Sequence, residues 1–210
     1  MLRKDLKEFL STIPTDVTLV AATKYIEAND MRELYSFGVS NFGENRVESF
    51  INKHILLRDL PITWHFIGHL QSNKAKDIIN DIDYLHSLDS INLAKMIEKY
   101  RNSPLACFIE VSINKEENKN GVYPEDLKDF LLQLQAFSKV KIAGLMMMTI
   151  NDSSLEEKQE QFHQLVLLRD RIEKELNITI PYLSMGMSDD YLLAIKEGAT
   201  HIRLGRILFN

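Results

Sequence analysis

Lys24 is the first residue whose type and position could do covalent chemistry. It directly follows the apolar run 19–23, which predicts a strand. Partial burial at the end of such a strand would lower the pKa of the lysine. The resulting neutral amine could condense with an aldehyde to form a Schiff base. The same position also allows a structural ion pair with Glu44 or Glu110, and position alone favours neither interpretation.

Two glycine-containing segments near the C-terminal end of the sequence could hold a phosphate group. In the first, Gly186 lets backbone amides approach a ligand, and Ser184 adds a hydroxyl donor. Ser188, in the same segment, is predicted to be a helix N-cap, which explains it without a ligand. In the second segment, the amides near Gly205 and the guanidinium of Arg206 could bind one dianion. Arg206 could equally be a surface cation.

Other candidates lie at or near the ends of predicted strands. Arg203 alternates with Leu204 and could point into the interior, where it would need a carboxylate or a ligand atom as its partner. Asn45 follows a strand-like run and Met147 lies near the carboxyl end of another, so we place them at the same face as Lys24.

Two further patterns have simpler explanations. His65 and His69 have the four-residue spacing of a metal pair on a helix, but this segment is predicted to be a strand, where four residues span about 13 Å. That distance is too long for two ligands of one metal ion. The sole cysteine, Cys107, lies in an apolar run and is interpreted as a core residue.

The candidate residues lie in a sequence in which predicted strands alternate with predicted helices. Apolar, β-branched runs predict eight strands, at 17–24, 40–44, 63–68, 84–88, 105–113, 141–149, 182–187 and 201–209. Apolar residues at three- and four-residue spacing predict helices between them, at 29–37, 46–57, 71–80, 90–100, 125–137, 154–176 and 189–197.

Strands alternating with helices indicate an α/β fold with a parallel sheet, either an open doubly wound sheet or a closed barrel. Eight strands favour a single (β/α)8 TIM barrel over residues 1–210, and no G-x-G-x-x-G motif follows the first strand to support a dinucleotide-binding sheet. In such barrels the chemistry lies at the carboxyl ends of the strands, where the candidate residues fall.

Composition narrows the class of protein. The 210 residues carry 25 Lys and Arg against 30 Asp and Glu, a formal charge of −5, which opposes binding to nucleic acid and to anionic membranes. The N-terminal segment has no signal-peptide pattern, and no apolar run is long enough to span a membrane. We therefore expect a soluble cytoplasmic protein, acting as a monomer.

Several blocks together resemble the pyridoxal phosphate homeostasis proteins, relatives of the N-terminal barrel of alanine racemase. In chain order the blocks are Ala22-Thr23-Lys24, Phe42-Gly43-Glu44-Asn45, WHFIGHLQSNK at 64–74, Gly144-Leu145-Met146-Met147, LSMGMSDD at 183–190 and Ile202-Arg203-Leu204-Gly205. They extend over nearly the whole chain, and the second, third and fifth are quite specific in combination.

The resemblance implies a fold-type III barrel that holds pyridoxal 5′-phosphate as a Schiff base on Lys24. It implies that Ser184 and Gly205 contact the phosphate, that Asn45 lies near the cofactor ring, and that Arg203 faces the pyridine nitrogen. A cation at that nitrogen keeps it unprotonated and weakens the ring as an electron sink. Arg206 stands where many relatives have a small hydroxyl residue, so its role stays open between a phosphate contact and an exposed cation.

The resemblance implies a carrier or regulator of the cofactor rather than an enzyme, with apo-enzymes that use pyridoxal phosphate as transient partners. The alternative is a weak racemase of the alanine racemase type. Racemisation in those relatives uses bases on both faces of the cofactor, one of them from a second domain, and we expect no such domain because the chain ends at Asn210, directly after its last strand. A third interpretation is an unrelated barrel that binds a phosphorylated metabolite, with Lys24 as an electrostatic contact only.

Overall fold

The barrel closes through parallel pairing of the last strand with the first. The computed structural model describes residues 2–114, 120–150 and 152–209, so the prediction about the chain end at Asn210 lies outside them. Within these ranges the strands pair in sequence order around a closed ring. They are β1 (Thr18–Ala22), β2 (Asn41–Glu44), β3 (Thr63–Phe66), β4 (Tyr84–Leu88), β5 (Leu105–Glu110), β6 (Val140–Met146), β7 (Tyr182–Ser184) and β8 (His201–Leu204). The closed barrel and all eight predicted strands are confirmed.

Both faces of the strands are buried, which is why they appear in the sequence as continuous apolar runs rather than as alternating patterns. Val20 and Ala21, successive residues of β1, are both fully buried. The register pairs Ala21 with Leu204 across the closure of the barrel. Lys24 and Gly205, which follow these two strands, therefore leave the barrel at the same edge.

Helices surround the barrel between the strands. They are α1 (Leu6–Ser11), α2 (Ala28–Ser36), α3 (Val47–Leu56), α4 (Ile91–Tyr100), α5 (Leu127–Leu134), α6 (Leu155–Leu176) and α7 (Tyr191–Lys196). The long helix α6 begins with a capping box, in which the Ser154 hydroxyl accepts from the Glu157 amide and the Glu157 carboxylate accepts from the Ser154 amide. None of the described helices is long and apolar enough to cross a membrane.

The helix predicted at 71–80 is wrong, because this connection contains only a short 3-10 helix, Ala75–Asp77. Its apolar side chains are nevertheless buried, including Ala75, Ile78 and Ile79. The Asn80 side chain donates to the Tyr100 carbonyl at the end of α4. The apolar spacing therefore correctly marked a buried segment but not its backbone conformation.

Gly186 has a packing role that the sequence did not indicate. Its φ is +92°, and a Cβ there would lie 2.6 Å from the Cβ of Ala194 on α7. The loop after β7 can therefore lie directly on α7 only with glycine at this position. This close contact accounts for the glycine without a ligand, and its expected role near a ligand stays a prediction.

Candidate functional site

A cavity of about 760 Å³ opens at the carboxyl ends of β1, β7 and β8. Its lining comprises Ala22, Lys24, Tyr25, Ile26, Asp30, Met187, Ser188, Asp189, Arg203, Gly205, Arg206 and Phe209. Four of the predicted site residues thus share one cavity: Lys24, Arg203, Gly205 and Arg206. The other three, Asn45, Met147 and Ser184, are not among the lining residues.

Lys24 lies two residues beyond β1 and is exposed, so the partial burial expected for its amine is wrong. Its Nζ lies 4.9 Å from the centre of the Tyr25 ring. The alternative ion pair is wrong as well, because Glu44 pairs with Lys53 instead, and among the described residues no salt bridge involves Lys24. Lys24 therefore presents an accessible amine to the cavity.

A buried ion pair anchors the turn that carries Lys24. Lys53 on α3 extends inward and donates from Nζ to Glu44 Oε1 at 2.6 Å and to the Thr23 carbonyl at 2.7 Å. The Thr23 hydroxyl also donates to Glu44 Oε1. The residue that precedes Lys24 is thus held from both its backbone and its side chain.

Two neighbouring acceptors in this region keep unused hydrogen-bonding capacity. Among the described residues, Glu44 Oε2 and Asn45 Oδ1 are buried and have no hydrogen-bond partner. The backbone of Asn45 packs tightly on Gly68, where a Cβ would come within 2.2 Å of the Asn45 carbonyl oxygen. Asn45 is therefore fixed at the end of β2, outside the cavity lining, with a free acceptor.

Arg203 lies 5% exposed in the wall of the cavity. Its Nη1 donates to the Ser184 carbonyl at 2.9 Å and to the Ser184 hydroxyl at 2.7 Å, and its Nη2 donates to the Met147 carbonyl at 2.9 Å. Ser184 and Met147 are fully buried and act on the cavity through this guanidinium. The partner that a buried arginine requires is here a set of neutral oxygens.

The loops after β7 and β8 meet at Ser188. Its hydroxyl oxygen accepts from the amides of Gly205 at 3.3 Å and of Ile207 at 3.4 Å. The predicted N-cap role of Ser188 is wrong, because α7 begins at Tyr191 with Asp190 as its N-cap. Two backbone amides and one hydroxyl are therefore gathered at the mouth of the cavity.

Arg206 is 75% exposed at this mouth and pairs with Asp189, which is 65% exposed. An ion pair this exposed contributes little to stability and exchanges its partners readily. Arg206 is therefore free to turn toward an anion in the cavity.

Two ionisable groups near the carboxyl ends of the strands, Arg203 and Glu110, have displaced pKa values. Burial lowers the pKa of Arg203 to about 10, which leaves it charged at neutral pH. Burial, together with the nearby Asp89 carboxylate, raises the pKa of Glu110 to about 7, although the charge of Arg203 opposes this shift. Glu110 therefore titrates near neutrality.

The histidines form a pattern that sequence reasoning missed. The spacing of His65 and His69 suggests only a metal pair, which the strand geometry excludes. In the structure, His65 lies 2.9 Å from His86. His69 lies 3.3 Å from Asp89. No metal-binding cluster of three His, Cys, Asp or Glu residues occurs in the part of the chain that the structure describes. His86 carried no signal in the sequence beyond its place in a predicted strand.

Comparisons with known proteins show the broad class to which this barrel belongs. A model of the alanine racemase N-terminal domain family matches residues 4–210. An alanine racemase of Clostridium difficile shares the fold, with a TM-score of 0.76 at 13% identity over 99% of this chain and 57% of its own. The closed barrel is therefore an alanine racemase N-terminal-type barrel.

Closer relatives define the family. A pyridoxal phosphate homeostasis protein of Aquifex aeolicus is 41% identical over 194 residues, which make up 91% of this chain and 85% of that protein. PipY of Synechococcus elongatus, solved with pyridoxal phosphate bound, has a TM-score of 0.88 and 35% identity, covering 98% of this chain and 100% of its own. The chain belongs to the pyridoxal phosphate homeostasis protein family, as the motifs predicted.

The buried ion pair behind Lys24 can be tested by substitution. Lys53→Met would leave the fully buried Glu44 carboxylate without its cation, and we expect the free energy of unfolding to fall by about 3–5 kcal/mol. Lys128→Met is a matched control, because it removes the exposed 2.9 Å pair with Glu175 and should cost less than about 1 kcal/mol. Urea unfolding followed by circular dichroism measures both. Equal losses in the two variants would contradict the anchoring role.

Proposed function

We propose that this protein binds pyridoxal 5′-phosphate in the cavity above β1, β7 and β8, holds it covalently on Lys24, and acts in homeostasis of the cofactor rather than as a catalyst. The observation that carries the proposal is the meeting of an exposed amine, a buried guanidinium and two backbone amides in one cavity. These groups match the aldehyde, the pyridine nitrogen and the phosphate of that molecule. The names of the relatives and the liganded structure of PipY support the same assignment.

Lys24 supplies the covalent attachment in this proposal. Its amine attacks the aldehyde carbon, a carbon–nitrogen double bond forms, and the carbonyl oxygen leaves as water. Because the side chain is exposed, both the aldehyde and the water can reach and leave Nζ. The Lys53–Glu44 pair holds the preceding residue, so that the amine emerges at a constant place.

The phosphate is assigned to the loops after β7 and β8. The amides of Gly205 and Ile207 point at one oxygen, that of Ser188, and a phosphate oxygen could take its place while the Ser188 hydroxyl turns to donate. Arg206 can add a charge-assisted contact by leaving Asp189. Ser184 was expected to contact the phosphate, but it is fully buried beside Arg203. We therefore assign this contact to Ser188.

The cofactor ring is assigned to the wall formed by Arg203. We place its pyridine nitrogen against the guanidinium, with Asn45 near the ring and with Ser184 and Met147 holding the arginine from behind. A cation there keeps the nitrogen unprotonated, so the ring withdraws electrons weakly when bound.

The polar groups of the cavity also favour a carrier over a racemase. Arg203, placed at the pyridine nitrogen, opposes the charge that racemisation would build up on the ring. We propose that the whole chain acts as one barrel domain, a cytoplasmic monomer that passes the cofactor transiently to apo-enzymes.

The attachment site gives the first test. Protein loaded with pyridoxal phosphate should absorb visible light and lose that band on borohydride reduction, and peptide mapping should find the adduct on Lys24. Lys24→Gln should abolish the adduct, whereas Lys95→Gln, at an exposed position on α4, should not. A reduced adduct on another lysine in wild type would reject the assignment, and binding without any reducible adduct would favour a purely electrostatic site.

The phosphate contact gives a second test. Ser188→Ala should weaken binding of pyridoxal phosphate roughly 10- to 100-fold, the scale of losing a hydrogen bond to a charged group, and leave binding of pyridoxal unchanged. Ser184→Ala is the matched control, since it acts through Arg203 and should affect both ligands equally. Isothermal titration measures the affinities of wild type and both variants for the two ligands. Equal or tighter binding of pyridoxal phosphate by Ser188→Ala would mean that the serine only competes for the two amides.

The absence of substantial catalysis gives a third test. Loaded protein should exchange the α-proton of D- or L-alanine or serine with deuterated water negligibly, because Arg203 opposes charge development on the ring. Proton NMR of single enantiomers follows the exchange. Turnover on the order of 1 per second or more, typical of enzymes, would favour the racemase alternative.

A further inference from the structure

A continuous line of hydrogen bonds crosses the barrel interior and ends on Arg203. His86 Nδ1 lies 2.8 Å from the Ser184 hydroxyl, and His86 Nε2 lies 2.9 Å from His65 Nδ1. His65 Nε2 lies 3.0 Å from Asn41 Oδ1 at the opposite end of the barrel. We call these four residues, Asn41, His65, His86 and Ser184, the interior chain. It runs through strands β2, β3, β4 and β7.

The two ends of the interior chain give every bond in it the same direction. Arg203 has only donors, so the Ser184 oxygen accepts from it, and the Ser184 hydrogen is left for His86 Nδ1. His86 must then carry its proton on Nε2 and donate to His65 Nδ1. His65 carries its proton on Nε2 as well, which suits the carbonyl oxygen of Asn41 as final acceptor.

The surroundings keep both rings neutral and in place. His65 and His86 are fully buried, and burial lowers the pKa of His65 to about 3 and that of His86 well below its ordinary value. Phe108 stacks on His86 with ring centres 4.4 Å apart, and Tyr84 stacks on His65 at 4.7 Å. Neutral rings with fixed tautomers can hold a neighbour in only one orientation.

The interior chain also decides which atoms of Arg203 remain for a ligand. Both hydrogens of Nη1 are used by Ser184, and one hydrogen of Nη2 is used by Met147. The second hydrogen of Nη2 and the hydrogen of Nε stay free among the described contacts. The guanidinium can therefore turn toward the cavity only along that edge.

We propose that the interior chain is a positioning device: His65 and His86, through Ser184, fix the edge of Arg203 that meets the pyridine nitrogen of the bound cofactor. The proposal rests on the function proposed above, in which Arg203 faces that nitrogen. His65 and His86 touch no ligand themselves, so both are positioning residues.

The tautomers can be read in protein without cofactor. Long-range proton–nitrogen NMR of histidine-labelled wild type should show His65 and His86 neutral and protonated on Nε2 between pH 6 and 8. Asn41→Leu should leave both tautomers unchanged, because Arg203 and Ser184 still set the direction of the hydrogen bonds from the other end. A proton on Nδ1 of either ring, in wild type or in Asn41→Leu, would overturn the proposal.

The effect on Arg203 can be read on the bound cofactor. With pyridoxal phosphate labelled with nitrogen-15 in its ring, the ring nitrogen should take up a proton at a higher pH in His86→Phe than in wild type, because the guanidinium no longer faces it in a fixed orientation. The midpoint should rise by about one pH unit, the size expected for one lost hydrogen bond to a charged group. Phe108→Leu is the control, because it removes the stacking on His86 but none of the hydrogen bonds of the interior chain.

Borohydride mapping in the same samples separates the two proposals. If the adduct lies on Lys24 and the ring nitrogen titrates identically in His86→Phe and wild type, the positioning role is wrong although the proposed function stands. If wild type forms no adduct on Lys24, the proposed function fails, and the positioning role at the cofactor fails with it. If His86→Phe does not fold, Ser184→Ala breaks the link between His86 and Arg203 and bears the same comparison.

Discussion

Arg203 brings a full positive charge into a barrel whose core is otherwise largely apolar, and no described salt bridge involves it. Such a charge is tolerated only where hydrogen bonds replace the water it has lost. The carbonyls of Ser184 and Met147 provide them, and these residues lie at the carboxyl ends of β7 and β6. One side chain therefore ties together the ends of three neighbouring strands. A change in the position of any of these ends would move the guanidinium.

Two buried cations, Lys53 and Arg203, have different roles at the cavity. Lys53 is neutralised directly by Glu44, so its charge is hidden, and it serves to hold Thr23 beside Lys24. Arg203 is held by neutral oxygens, so its charge stays available to whatever lies in front of it. The more distant carboxylates of Glu110 and Asp190 favour its charged form without contacting it. This difference in partners separates the cation that supports the site from the cation that can face a ligand.

The sequence predicted the barrel well because parallel strands bury both faces and appear as unbroken apolar runs. It also placed Lys24, Arg203, Gly205 and Arg206 at one face, and the structure finds these four lining one cavity. It assigned the ligand contact to Ser184 and an N-cap to Ser188, whereas the structure buries Ser184 beside Arg203 and places Ser188 in the cavity lining. Only the three-dimensional position of the loop decides which of these two hydroxyls reaches the cavity.

Other misses have the same physical origin. The segment 71–80 has helical apolar spacing, and its apolar residues are buried, but the backbone forms only a short 3-10 helix. His86 could not be recognised from the sequence, because its partners, His65 and Ser184, are 21 and 98 residues away in the chain. Pairing over such distances leaves no local pattern in a sequence. It becomes visible only once the barrel brings β3, β4 and β7 around a common interior.

The site is buried on one side and open on the other, and this asymmetry bears on reversible binding. Arg203 and the interior chain form a buried wall, whereas Lys24, Tyr25 and Arg206 are exposed at the mouth, with Tyr25 80% exposed. A ligand would be oriented by the buried wall but retained mainly by contacts that water can reach, and exposed polar contacts contribute little each. Hydrolysis of a bond to Lys24 needs water at that carbon, which an exposed lysine permits. An enzyme that must protect a reactive carbanion excludes water from this place. The open amine therefore favours capture and release of the cofactor over chemistry carried out upon it.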